Sequence, residues 1–233
     1  MYQSIPVMKN TFILLLFISA LLSACVRETG VAPEILTICP PPGIIIQDSL
    51  TSGSYLSMTV GDGTENIYAA IQALTKTEKV TYVNVVGNVF NNLSQLENRI
   101  PLYQSVYLDE MVGTESGAQI AFENYKVKSI YLNSGKELTQ WPSNLKTAIS
   151  IGDDISLLFG KLDQIRKNPT YANKFERISL FTKNLDTAYD PIMTQSSQWY
   201  FAYAISPGKM DEVKLHFSSG KLVKINVNHH IQN

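Results

Sequence analysis

Two stretches decide the fold: "VGDGTENIYAAIQALTK", Val60–Lys76, and "IGDDISLLFGKLDQIRK", Ile151–Lys167. Each opens on a β-branched residue followed by Gly-Asp, and the second begins 91 residues after the first. Apolar side chains recur at Ile67, Ile71 and Leu74 in one and at Leu158, Leu162 and Ile165 in the other. That i, i+4, i+7 spacing lays three side chains along one stripe, so it predicts two amphipathic helices. Asp62 or Thr64 is placed to cap the first helix, and Asp153 or Asp154 the second, by accepting orphan backbone N–H groups. Asn168-Pro169 predicts where the second helix stops.

Strands follow each helix. "FENYKVKSI" (Phe122–Ile130) and "FSSGKLVKI" (Phe217–Ile225) share Phe, then Lys, an aliphatic and Ile at the same places. "SVYLDEMV" (Ser105–Val112) precedes one and "WYFAYAI" (Trp199–Ile205) the other. Alternation at Val213, Leu215, Phe217 and at Val223, Ile225, Val227 predicts half-buried strands. The offset grows from 91 residues at the helices to 95 at the closing strands, so the second copy carries four more between them. The chain is therefore expected to be α+β, with two tandem repeats at residues 44–140 and 141–233. Each is a helix packed on an antiparallel sheet that ends in a three-stranded meander.

The residues before the first repeat concern location. "TFILLLFISALLSA" (Thr11–Ala24) is almost wholly apolar, follows Lys9 and ends in small residues, so residues 1–24 read as a signal peptide. The run is short of the roughly 20 residues a spanning helix needs. Met8 is the more ordinary start, which makes residues 1–7 an expected upstream start-site artefact. "LLSAC" (Leu21–Cys25) resembles the bacterial lipobox, in which the cysteine takes a diacylglycerol and the signal is cut before it. Cys25 is then the lipid anchor, each buried CH₂ contributing about 0.8 kcal/mol. Val26 to Gly43, with Pro33 and Pro40 to Pro42, reads as a stiff tether able to reach on the order of 50 Å. Val26 is not acidic, which points to the outer membrane of the cell envelope, on its periplasmic or surface face. With Cys25 acylated, Cys39 is left without an intrachain partner, so no disulfide is expected within the chain.

The pattern aliphatic-Gly-Asp, helix, aromatic strand and closing hairpin resembles the SmpA/OmlA-type outer-membrane lipoproteins. It is similar also to the β-lactamase-inhibitor-protein fold, where two such units stand in tandem. The second repeat carries it best, through Ile151-Gly152-Asp153, Trp199-Tyr200, Phe217, Gly220-Lys221-Leu222 and Ile225. The first departs at Tyr125, where the matching glycine is absent, and has no tryptophan in its strand. The resemblance implies a non-enzymatic envelope protein that binds another protein.

The residues themselves point the same way. With 19 Lys+Arg against 20 Asp+Glu the net charge is −1, and loss of residues 1–24 removes one lysine, so no basic nucleic-acid surface is expected. His229 and His230 are strand neighbours whose side chains point to opposite faces, and no metal-ligand spacing surrounds them. They are expected to be solvated, with His216 on the outer face of its strand. Asp153-Asp154 reads as capping, Asp109-Glu110 as diverging strand carboxylates and Asp211-Glu212 as part of a turn. Neither a nucleophile elbow nor a phosphate loop is present. No enzyme, metal or cofactor is expected.

The aromatic strand offers the candidate binding surface: Trp199, Tyr200, Phe201 and Tyr203, with Tyr107 from the earlier strand. Trp199, Phe201 and Tyr203 share one face, and Tyr200 takes the other. Large rings on an uncovered face would form a protein-docking platform. A partner in the envelope is the first expectation, whether the chain acts as inhibitor, immunity factor or assembly accessory. A small-ligand or glycan carrier is the second, and it requires a pocket lined by Tyr or Trp.

Overall fold

The computed structural model describes residues 43–231. The signal-peptide, lipid-anchor and tether expectations, Cys25 and Cys39 included, lie outside those residues. From its N-terminal side, β1 (Ile44–Leu50) leads into a small hairpin, β2 (Ser54–Tyr55) and β3 (Met58–Thr59), and then helix α1 (Thr64–Thr77). β4 (Tyr82–Val85), β5 (Val89–Phe90), β6 (Ser105–Asp109), β7 (Ala118–Glu123), β8 (Lys126–Leu132) and β9 (Glu137–Leu138) follow. A second small hairpin, β10 (Gln140–Trp141) and β11 (Ile149–Ser150), precedes helix α2 (Leu158–Arg166). The chain ends with β12 (Arg177–Ser179), β13 (Thr182–Asn184), β14 (Gln198–Ser206), β15 (Lys209–Ser218) and β16 (Lys221–Ile231). The fold is α+β, with two helices among the described residues and antiparallel pairing throughout both main sheets.

Strand order is β1-β16-β15-β14-β4-β13 in one six-stranded sheet and β9-β8-β7-β6-β12-β5 in the other. In the first sheet the meander β14–β16 lies between β1 and β4, with β13 outside β4; in the second the meander β6–β8 lies between β9 and β12, with β5 outside β12. One bent ribbon joins them. Residues 82–90 run antiparallel to 177–184, pairing Asn84 with Thr182 in the first sheet and Val89 with Ser179 in the second. Backbone bonds from Val85 to Phe181 and from Leu180 to Asn88 bridge the crossing.

This pairing corrects the expected placement of the helices. α1 buries Ile67, Tyr68, Ile71 and Leu74 against Trp199, Phe201, Val213, Leu215, Ile225 and Val227, the meander of the C-terminal half. α2 buries Leu158, Leu162 and Ile165 against Val106, Leu108, Ile120, Val127 and Ile130, the meander of the N-terminal half. The reason is local. Only residues 78–81 separate α1 from β4, and β4 pairs with β14, so the helix stays over the sheet that holds β14. The boundary expected after residue 140 falls inside β10, and the described residues belong to one compact unit.

The two Gly-Asp pairs do the same job. Gly61 N–H donates to Leu222 O and Leu222 N–H to Asp62 O, at 2.8 and 2.9 Å. Gly152 N–H donates to Val127 O and Val127 N–H to Asp153 O in the matching way, both at 2.8 Å. Both glycines hold positive φ, 104° and 88°, which a side chain would resist. Capping departs from the expectation at the first helix and follows it at the second. Gly63 precedes α1 without a side-chain cap, whereas Asp154 accepts from Ser156 N–H at the 3-10 turn that leads into α2.

Candidate functional site

A helix shields one face of each sheet and leaves the other open. On β14, Trp199 and Phe201 point under α1 and are fully buried, so they are core and not binding surface. The Trp199 ring packs on Phe217 with centroids 4.6 Å apart. Tyr203 shares that covered face, half-buried, with its hydroxyl bonded to Tyr55 and Asp211. Tyr200 and Tyr107 remain half-buried on the open side.

These two tyrosines meet at the seam between the sheets. Tyr200 pairs across the ladder with Asn84, and Tyr107 with Ser179, both residues of the joining ribbon. Phe181, in the ribbon's crossing, sets its ring edge-on to Tyr200 with centroids 5.8 Å apart. Burial first, then nearby Glu212, Tyr82 and Tyr107, push the Tyr200 hydroxyl above its ordinary range. Around this centre the open face of β14–β16 carries Lys214, His216, Asn226 and Asn228. Asn228 donates to Glu212 at 2.8 Å, and Asn226 lies 3.4 Å from His216. Aromatic rings among amides and hydroxyls give contact area with little entropy to lose, the composition of adaptable recognition surfaces.

Three polar clusters lie elsewhere. Asp211, expected in a turn, sits within β15 and is 2 % exposed. It accepts from His229 Nδ1 (2.7 Å), Tyr55 Oη (2.9 Å) and Tyr203 Oη (3.2 Å). The other His229 nitrogen is 3.2 Å from Asp48 of β1. The hydrogen bond to Asp211 leads in raising the His229 pKa, so this ring is tuned to hold a proton between two carboxylates. Its neighbour His230 is also not solvated: it is buried, and both ring nitrogens lack a partner.

The second cluster is built on Lys183, wholly buried beneath α1. Its Nζ donates to Tyr68 Oη at 2.9 Å, to Asn184 O at 3.0 Å and to the Thr187 hydroxyl. Burial lowers its pKa to about 8, opposed by the charge of Asp190. Asp190 in turn accepts from Tyr103 Oη (3.0 Å) and Arg99 Nε (3.2 Å). Three acceptors for three protons make this a satisfied internal crosslink. The third cluster, Asp109 with Thr114, Asn133 and Arg177, closes the loop after β6, while Glu110 turns away to Lys174.

Among the described residues no group of three or more His, Cys, Asp or Glu is placed to hold a metal. Cavities of about 440, 320 and 310 Å³ have no Tyr or Trp in their walls. Sequence reading separated Tyr200 from its strand neighbours but missed Tyr82, Phe181, Asp211 and Lys183. The alternation Asp211, Val213, Leu215 already placed Asp211 on the core face. No family model, curated protein or solved structure matches the chain.

Proposed function

We propose that this is a lipid-anchored protein of the bacterial cell envelope that binds another protein without catalysis. Its signal peptide ends before Cys25, an acyl group on that cysteine moors it to the outer membrane, and its open face takes the partner. The observation that carries the binding reading is the gathering of Tyr200, Tyr107, Tyr82 and Phe181 where the two uncovered faces meet. A broad surface of that kind suits a protein, whereas a small apolar or glycan ligand calls for an enclosed aromatic pocket.

The body is also a tandem duplication in this reading. Its support is the matched order of the two sheets, element for element, and the matched Gly-Asp backbone bonds at Leu222 and Val127. The likeness to SmpA/OmlA-type and inhibitor-type tandem units belongs to the same proposal. Affinity capture from envelope extract, comparing the native chain with Tyr107→Ala/Tyr200→Ala, tests the function. One stoichiometric protein retained by the native chain and lost by the variant is expected. Equal capture by both, or recovery of a small molecule alone, overturns it.

A further inference from the structure

Four of the large apolar side chains left exposed crowd one end of the first sheet. Ile44, Ile45 and Ile46 are 54, 56 and 51 % exposed, and Ile205 is 55 % exposed. Ladder register puts Ile45 beside His230, His230 beside Met210, and Met210 beside Ala204, so β1 and the β14–β15 hairpin tip end together. Four strands at about 4.8 Å spacing make this end roughly 15 Å wide. The tip, Ala204–Met210, walls the cavity of about 440 Å³ with His230 beneath it. Its charged residue is Lys209, and residues 44–47 contain no acid; Asp48 and Asp211 are engaged with His229 on the helix-covered face.

We propose that this end of the sheet lies against the phospholipid bilayer, so that the body rests on the membrane instead of being held away from it. The inference builds on the lipid-anchor reading, and geometry selects the occupant. Gly43, where the tether region meets the described body, directly precedes Ile44, so the anchored end of the chain comes in at this patch. A partner adding a strand to β1 would follow its length toward Leu50 and leave the tip at Ile205 and Pro207 untouched. A flat lipid surface reaches both at once. Isoleucines at a strand end and a hairpin tip bury in the headgroup boundary, and one lysine suits anionic lipid.

The test couples the mature chain through the Cys25 thiol to maleimide-lipid vesicles, in a Cys39→Ser background. Tethering is then independent of whether the cell acylates Cys25. Ile205→Trp reports the patch, and Tyr125→Trp, 71 % exposed in the β7–β8 turn of the other sheet, is the comparison position. The native Trp141 and Trp199 are buried and serve as background. Emission of Ile205→Trp is expected to shift to the blue and be quenched by brominated lipid, Tyr125→Trp to show neither, and Ile45→Asp to weaken the quenching. Equal quenching at the two positions overturns the proposal. So does an unquenched Ile205→Trp with Ile45-dependent dimerisation by light scattering, which would assign the patch to a second copy. Acylation is read separately, from the mass of the N-terminal peptide of chain taken from bacterial membranes, so loss of the anchor reading and loss of the docking proposal give different results.

Discussion

His229 is the residue whose charge most directly ties β1 to the sheet, because it bridges Asp48 of β1 and Asp211 of β15. Its folded pKa is raised above the ordinary value of 6.5. The stabilisation is thus fully present below that value and is lost as pH rises through the raised one. The melting difference between the native chain and His229→Gln should be largest in mild acid and shrink toward alkaline pH; a constant gap would contradict the bridge. Lys183 carries the opposite sign. Its pKa falls from 10.5 to about 8, so between those values the unfolded chain binds more protons and stability rises with pH. Across that window the native chain should gain on Lys183→Met in urea titrations. Neither interior charge was expected from sequence, since isolated Asp and Lys are normally solvated. What hid them is that their partners, Tyr55 and Tyr68, lie 156 and 115 residues away along the chain.

Both helices and the C-terminal meander were legible, because periods of 3.6 and 2 survive wherever one face is buried. The sheet each helix covers was not, since that depends on β4 and β12, strands of four and three residues with almost no pattern of their own. Truncating Ile71 in α1 to Ala should cost about 3 kcal/mol. Its mark in hydrogen exchange should be lost protection in β14–β16, with β6–β8 changed far less; Leu162→Ala in α2 should show the reverse. The closing hairpins differ in a way the sequence did show. Ser219 and Gly220 turn at φ 48° and 71°, and Asn124 and Tyr125 turn at 50° and 61°. A tyrosine in that region carries a steric penalty of about 1–2 kcal/mol, partly offset by the freedom glycine adds to the unfolded chain. Tyr125→Gly, at an exposed site, should therefore stabilise the protein by about 0.5–1 kcal/mol in chemical denaturation.

At the scale of the molecule, the open aromatic face exists only where both halves meet, so any partner that grips Tyr200 and Tyr107 also reports on their assembly. Residues 43–140 alone hold a helix without the sheet it covers and a meander without its helix. That fragment should lack cooperative unfolding by circular dichroism, and so should 141–233. Mixed at equal concentration, the two should recover a single transition whose midpoint rises with dilution reversed, that is, with concentration. The expectation that each helix packs on the meander of its own repeat is what the structure corrects, because helical and strand periods describe which face is apolar and say nothing of which neighbour covers it. The exchange of helices has a consequence for the duplication proposed above. On that proposal a half-length forebear could hide its own grease only by embracing a sister molecule, and splicing the pair end to end would have made that embrace independent of supply.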